Sequence, residues 1–140
     1  MTFCMTPREE ISWNDVENLV QVLSNNILEL SRNFSSITTL SRGGLIPSRL
    51  LADILGIKKI FVDEKNISSD SLFVDDIYDT GKTFDDVFSK VDNPSKFIFA
   101  TLFARRGMKY PKQLIYGTET SDDSYVVFPW DKLEFKNNSE

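Results

Sequence analysis

The chain has 140 residues, enough for one domain with a real core, and its 41% hydrophobic and 26% charged residues are the balance of an ordinary globular protein. A net charge of −5 argues against a general nucleic-acid or polyanion binder, which needs a basic face, but leaves room for a small phosphate ligand held by local positive groups. With Cys4 alone and no histidine, the sequence supports neither an internal disulfide nor a Cys/His zinc site, and acid–base chemistry falls to carboxylates, lysine or tyrosine.

The opening MTFCMTPREEISW has neither the basic start nor the apolar core of a secretory signal. No apolar run approaches the roughly 20 residues that a membrane helix needs, so a cytoplasmic protein without a membrane partner is expected. Residues 12–30 predict an amphipathic helix, with Val16, Leu19, Val20, Leu23, Ile27 and Leu30 spaced by threes and fours and Ser12 as N-cap. The β-branched run SSITTL (35–40) predicts a strand that enters SRGG. LIPSRLLADILG then predicts a helix, with Pro47 in its first turn and Gly56 at its stop.

IKKIFV (57–62) predicts a second strand and DEKNISSD (63–70) a polar loop. SLFVDD (71–76) predicts a third strand, TFDDVFSKV (83–91) a short helix and KFIFATLFA (96–104) a fourth strand; KQLIYG (112–117) and SYVVFPW (124–130) are further strand candidates. Strands alternating with helices predict an α/β fold, a doubly wound and mainly parallel sheet with helices on both faces. With no repeat, linker or low-complexity stretch, residues 1–140 read as one domain.

The stretch LFVDDIYDTGKTF (72–84) carries the chemistry. Ligands of open parallel sheets bind beyond the carboxyl ends of the strands, where Asp75 and Asp76 are expected. Like charges held this close are costly unless a cation or sugar hydroxyls sit among them. The turn Asp79, Thr80, Gly81, Lys82, Thr83 then offers backbone N–H groups and side-chain donors to a phosphate. The Gly-Lys-Thr is not a P-loop, because the glycine that motif needs five residues earlier is here Asp76. A metal-bound phosphorylated sugar would use both halves of the stretch.

LFVDDIYDTGKT resembles the phosphoribosyl pyrophosphate (PRPP) signature of type I phosphoribosyltransferases, and SRGGLIPSRLLADILGI (41–57) resembles the pyrophosphate loop and helix of their xanthine-guanine branch. Gly43 and Gly44 let the backbone approach a pyrophosphate and Arg42 can neutralise it; the family tends to carry a strained or cis peptide where Ser41 meets Arg42. FATLFARRG (99–107) with SDDSYVVFPWD (121–131) resembles the base-binding end. By that resemblance Arg105 stands where a lysine meets the purine six-position oxygen, Tyr125 stacks on the base, the Val126 backbone reads its edge and Asp131 touches its exocyclic group. Outside the family, Arg105 reads as part of a solvated basic turn and Tyr125 as a half-buried strand residue. Trp13 and Trp130 read as packing residues and Cys4 as incidental.

The resemblance implies an enzyme that transfers phosphoribosyl from PRPP to xanthine, guanine or hypoxanthine. It also implies Mg2+ held with Asp75 and Asp76, the 5′-phosphate in the 79–83 turn, pyrophosphate on Ser41–Gly44, and Asp79 as acceptor of the base's proton. A homodimer or homotetramer is implied as well. Family members usually carry a long flexible loop where this chain has only residues 63–70, and the N-terminal helical region, or hood, is minimal. A second reading is therefore a PRPP-binding regulatory or catalytically impaired homologue; the short loop favours it, and the intact Asp79 and base-binding strand favour the enzyme.

Overall fold

The computed structural model describes residues 7–131; Cys4 and the opening residues lie outside them. The elements in chain order are β1 (Arg8–Glu10), α1 (Trp13–Leu28), β2 (Ser36–Thr39), α2 (Leu45–Leu55), β3 (Ile60–Val62), β4 (Ser71–Tyr78), α3 (Lys82–Phe88), β5 (Phe99–Ala104), β6 (Leu114–Glu119) and β7 (Tyr125–Val127). Short 3-10 turns follow at Pro94–Lys96 and Pro129–Asp131. No helix among the described residues is long and apolar enough to cross a membrane.

Five strands form one parallel sheet in the order β3-β2-β4-β5-β6. Alternate side chains divide it into two layers, as the period of two requires. Leu72, Val74, Ala100 and Leu102 meet Val16, Val20, Leu23 and Ile27 of α1 and Leu51 and Ala52 of α2 on one face. Phe73 and Phe99 meet Phe84 and Val87 of α3, with Phe97, on the other. The sheet thus has helices on both faces. The chain leaves β2 for β3 on one side and returns to β4 on the other, so the strand order switches direction between β2 and β4. The crevice beyond their carboxyl ends is where such sheets bind ligands.

Local rules account for the helices. Ser12 caps α1 in a reciprocal box: its Oγ accepts from Asp15 N (3.0 Å) and Asp15 Oδ2 accepts from Ser12 N (2.9 Å). Gly56 ends α2 at φ 69°, in the left-handed region where glycine is unstrained. Trp130 stacks on Phe128 at 4.8 Å between ring centroids, while Trp13 packs at its edge (5.9 Å) and remains half exposed.

The strand expectations need corrections: β5 starts at Phe99 and not at 96, and β6 spans Leu114–Glu119 and not 112–117. β3 holds only Ile60–Val62, shorter than residues 57–62. β4 runs on to Tyr78, so Asp75 and Asp76 lie within the strand and not beyond it, because Ile77 and Tyr78 still pair with Phe103 and Ala104. β7 leaves the main sheet and pairs in parallel with β1, Arg8 opposite Tyr125. β1 itself was not anticipated, since three polar residues carry no alternating pattern.

Candidate active site

Two loops meet across the switch point. The first, Ser41–Gly44, leaves β2 and leads into α2. Its Ser41–Arg42 peptide is cis, as the resemblance implied. Gly44 is wedged so tightly that a Cβ there would lie 1.9 Å from Thr39 Oγ1 and 2.7 Å from the Val74 carbonyl; a Cβ at Gly43 would lie 2.8 Å from Asp76 Oδ2. The absent side chains therefore let the loop backbone lie directly against the carboxylate of β4.

The second loop is the 79–83 turn. Gly81 adopts φ 89°, closed to most side chains, and sits over the Tyr78 hydroxyl. Thr80 Oγ1 accepts from Lys82 N at 3.3 Å, tightening the turn before α3. Every residue from Asp75 to Phe84, with Phe99, lines a cavity of about 150 Å³. The acids and the turn thus face one space.

Within it, Asp76 N donates to Asp75 Oδ1 (2.9 Å) and Ile77 N to Asp76 Oδ1 (2.7 Å). Burial nevertheless pushes both acids up, and with the Asp75 charge beside it Asp76 reaches about 8. Among the described residues no group of three or more metal-ligating side chains converges.

Arg105 ties this site to the 121–131 segment. Its Nε donates to Asp79 Oδ1 at 3.0 Å, and its Nη1 donates to the carbonyls of Asp122 (3.2 Å) and Ser124 (2.8 Å). Its backbone N–H completes the strand end by donating to Tyr78 O (2.7 Å). The guanidinium is 14% exposed and the Asp79 carboxylate 55%, so a solvated basic turn does not describe Arg105. Tyr125 follows at once, half exposed, with Val126 buried behind it. Asp131 lies in the last 3-10 turn, and none of these three lines the cavity of residues 75–84.

Asp63, which the sequence reading placed only in the polar 63–70 loop, holds the start of the 41–44 loop. Its Oδ1 accepts from Ser41 N (2.9 Å) and its Oδ2 from Ser41 Oγ (2.5 Å), which holds its carboxyl below the ordinary range. The only signal was an acid immediately after the IFV strand.

A parallel sheet of this order with these two loops at its switch point is the type I phosphoribosyltransferase fold. The chain is 31% identical to the xanthine-guanine phosphoribosyltransferase of Chromohalobacter salexigens, over 86% of this chain and 82% of the relative. It superposes on the purine phosphoribosyltransferase of Pyrococcus horikoshii with a TM-score of 0.69 at 25% identity, covering 88% of this chain and 93% of that one. The Helicobacter pylori xanthine-guanine-hypoxanthine phosphoribosyltransferase shares the fold alone, with a TM-score of 0.73 at 15% identity over 95% and 99% of the two chains. No family model matches the sequence. The chain belongs to the xanthine-guanine phosphoribosyltransferase family and is a phosphoribosyltransferase.

Proposed function

We propose that the chain transfers phosphoribosyl from PRPP to an oxo-purine, xanthine, guanine or hypoxanthine, releasing pyrophosphate and the nucleoside monophosphate. The observation that carries this is the contact of Gly43 with Asp76. A backbone open to pyrophosphate beside a carboxylate suited to the ribose hydroxyls supports a reading in which the bond to be broken lies between them. The 79–83 turn holds the 5′-phosphate through its amides, Thr80, Thr83 and Lys82. Arg42, Gly43 and Gly44 take the pyrophosphate in a loop that Ser41 opens, with Arg42 matching its charge.

Mg2+ fits the donor set. Two carboxylates pushed up chiefly by burial, with the Asp75 charge adding to Asp76, would supply the anchor, and without a third ligand among the described residues the ion would keep waters and substrate oxygens, as Mg2+ ordinarily does. Bound there, it would offset charge on the departing pyrophosphate. Asp75 and Asp76 orient the ribose hydroxyls, directly or through water. Asp79 accepts the proton that the base loses as its nitrogen attacks, a task open to a carboxylate in a chain without histidine. Arg105 steadies Asp79 through Nε and keeps Nη2 for the purine six-position oxygen, which accepts a hydrogen bond where an amino group would not. Tyr125 stacks on the base, the Val126 backbone reads its edge and Asp131 meets its exocyclic group. One domain, a homodimer or homotetramer and a cytoplasmic location complete the reading.

A second reading, a PRPP binder with impaired turnover, is favoured by residues 63–70. Ile67 pairs with Val91, and Ser69 N donates to Asp92 Oδ1 (2.9 Å), which fastens this segment to the chain just after α3, at the end of that helix opposite the 79–83 turn. The deciding experiment mixes the protein with PRPP, Mg2+ and each of xanthine, guanine, hypoxanthine, adenine and orotate, and resolves the nucleotides by chromatography. Asp79→Asn and a no-base control run alongside. An oxo-purine nucleotide that disappears with Asp79→Asn is expected. Mg2+-dependent binding of PRPP with no nucleotide from any acceptor would establish the second reading.

A further inference from the structure

We propose that Asp63 is a positioning residue that fixes the shape of the 41–44 loop for pyrophosphate; this rests on the assignment of pyrophosphate to that loop. Asp63 is the first residue after β3 and clamps two things at once. Its backbone N–H donates to Thr39 O (3.0 Å), closing the β2–β3 pairing, while its carboxylate takes both the N–H and the hydroxyl of Ser41. The end of β2 and the first residue of the loop are thereby referred to one side chain.

The backbone conformation agrees with a dedicated role. Asp63 has φ 56°, in the left-handed region that costs most residues energy and that aspartate tolerates better than others. The sign of its charge excludes direct contact with the ligand, since a carboxylate repels pyrophosphate. Its contribution therefore passes through Ser41, whose N–H and hydroxyl it takes, and so through the placing of Arg42 and Gly43 that follow. The geometry is held in the ligand-free chain, so ordering of the loop is not left to be paid on binding.

The test uses the full chain with Mg2+-pyrophosphate as calorimetric probe and steady-state kinetics in both directions. Asp63→Ala is expected to raise the pyrophosphate Kd and the PRPP KM about tenfold, the scale of one charged hydrogen-bond pair lost, with kcat and the KM for the base within about twofold. Asp63→Asn recovers most of the loss, because its amide oxygen still accepts the Ser41 N–H. Asp63→Ala with Ser41→Ala loses no more than Asp63→Ala alone. A pyrophosphate Kd indifferent to Asp63→Ala overturns the proposal. So does a uniform fall in kcat, both affinities and melting temperature, which marks a merely structural residue. A wild-type chain that makes nucleotide yet binds no pyrophosphate overturns it too; one that binds neither PRPP nor pyrophosphate overturns the functional reading along with it.

Discussion

Arg105 and Asp79 form an ion pair at 3.0 Å that joins the 79–83 turn to the segment preceding Tyr125. On the proposed assignments the pair spans the two ends of the substrate. Replacing Arg105 by methionine removes three hydrogen bonds at once and frees Asp79. The oxo-purine KM is expected to rise and kcat to fall, their combined loss in kcat/KM being ~10–100-fold for charged hydrogen bonds worth about 1.5–3 kcal/mol. Arg105→Lys keeps the charge on Asp79 but cannot serve the carbonyls of Asp122 and Ser124 together, so it falls between the two. Michaelis kinetics with the preferred base checks both; an unchanged kcat/KM in Arg105→Met would refute a role for the pair.

The raised Asp76 gives a pH dependence of the ligand-free protein. A carboxyl near 3.8 when unfolded and about 8 when folded binds more protons in the folded state between those values. Stability from this group is therefore full at low pH and lost as pH rises through the folded value. Asp15, Asp63, Asp92 and Asp122, all lowered, act oppositely but only below their unfolded values. From pH 5 to 8 the melting temperature should fall. Asp76→Asn should flatten that slope and raise the melting temperature at pH 8. Mg2+ with PRPP should flatten it in the wild type. A slope unaltered by Asp76→Asn would show that the acid pair is not its source.

Gly44→Ala places a methyl into Thr39 Oγ1 and the Val74 carbonyl, which already share a 2.6 Å hydrogen bond. Backbone cannot yield as a flexible side chain does, so a loss of at least the ~1–3 kcal/mol typical of overpacking is expected in urea unfolding. Gly56→Ala is the control: its φ is positive but open space surrounds it, and about 1 kcal/mol is expected. Equal losses at the two positions would contradict the close approach at Gly44.

Ser12→Ala removes one half of the α1 capping box. A loss of ~1 kcal/mol with unchanged KM for PRPP and base is expected. A change in either KM would mean that α1 is coupled to the site.

Helices were legible wherever a cap and an apolar stripe agreed, as with Ser12 and Val16, Val20, Leu23 and Ile27, all buried as predicted. The order of strands followed from β-branched runs alternating with helices. What a run of residues cannot carry is the identity of its neighbour. Ile77 and Tyr78 stay in β4 because Phe103 and Ala104 lie beside them. Arg8–Glu10 becomes a strand because Tyr125–Val127 arrives to pair with it. The loop positions 41–44 and 79–83 were readable from glycine and donor chemistry, and the structure sets them across one crevice. Arg105 was placed at the site by resemblance, but its hold on Asp79 and Ser124 depends on contacts across sequence. Asp63 was hidden for the same reason, its partner Ser41 lying on a different loop.

The pairing of β1 with β7 joins residues from opposite ends of the described chain, Arg8 to Tyr125. Closing so long a loop is entropically late, so the proposed purine end is assembled last in folding, after the sheet that carries the phosphate turn exists. The same ribbon is short and outside the main sheet, so it is expected to open before that sheet in the native state. Amide hydrogen exchange should accordingly be fastest at Val126 and Val127 among the strand residues and slowest at Phe73, Val74 and Ala100. Occupancy by the acceptor base should slow exchange at β7 selectively.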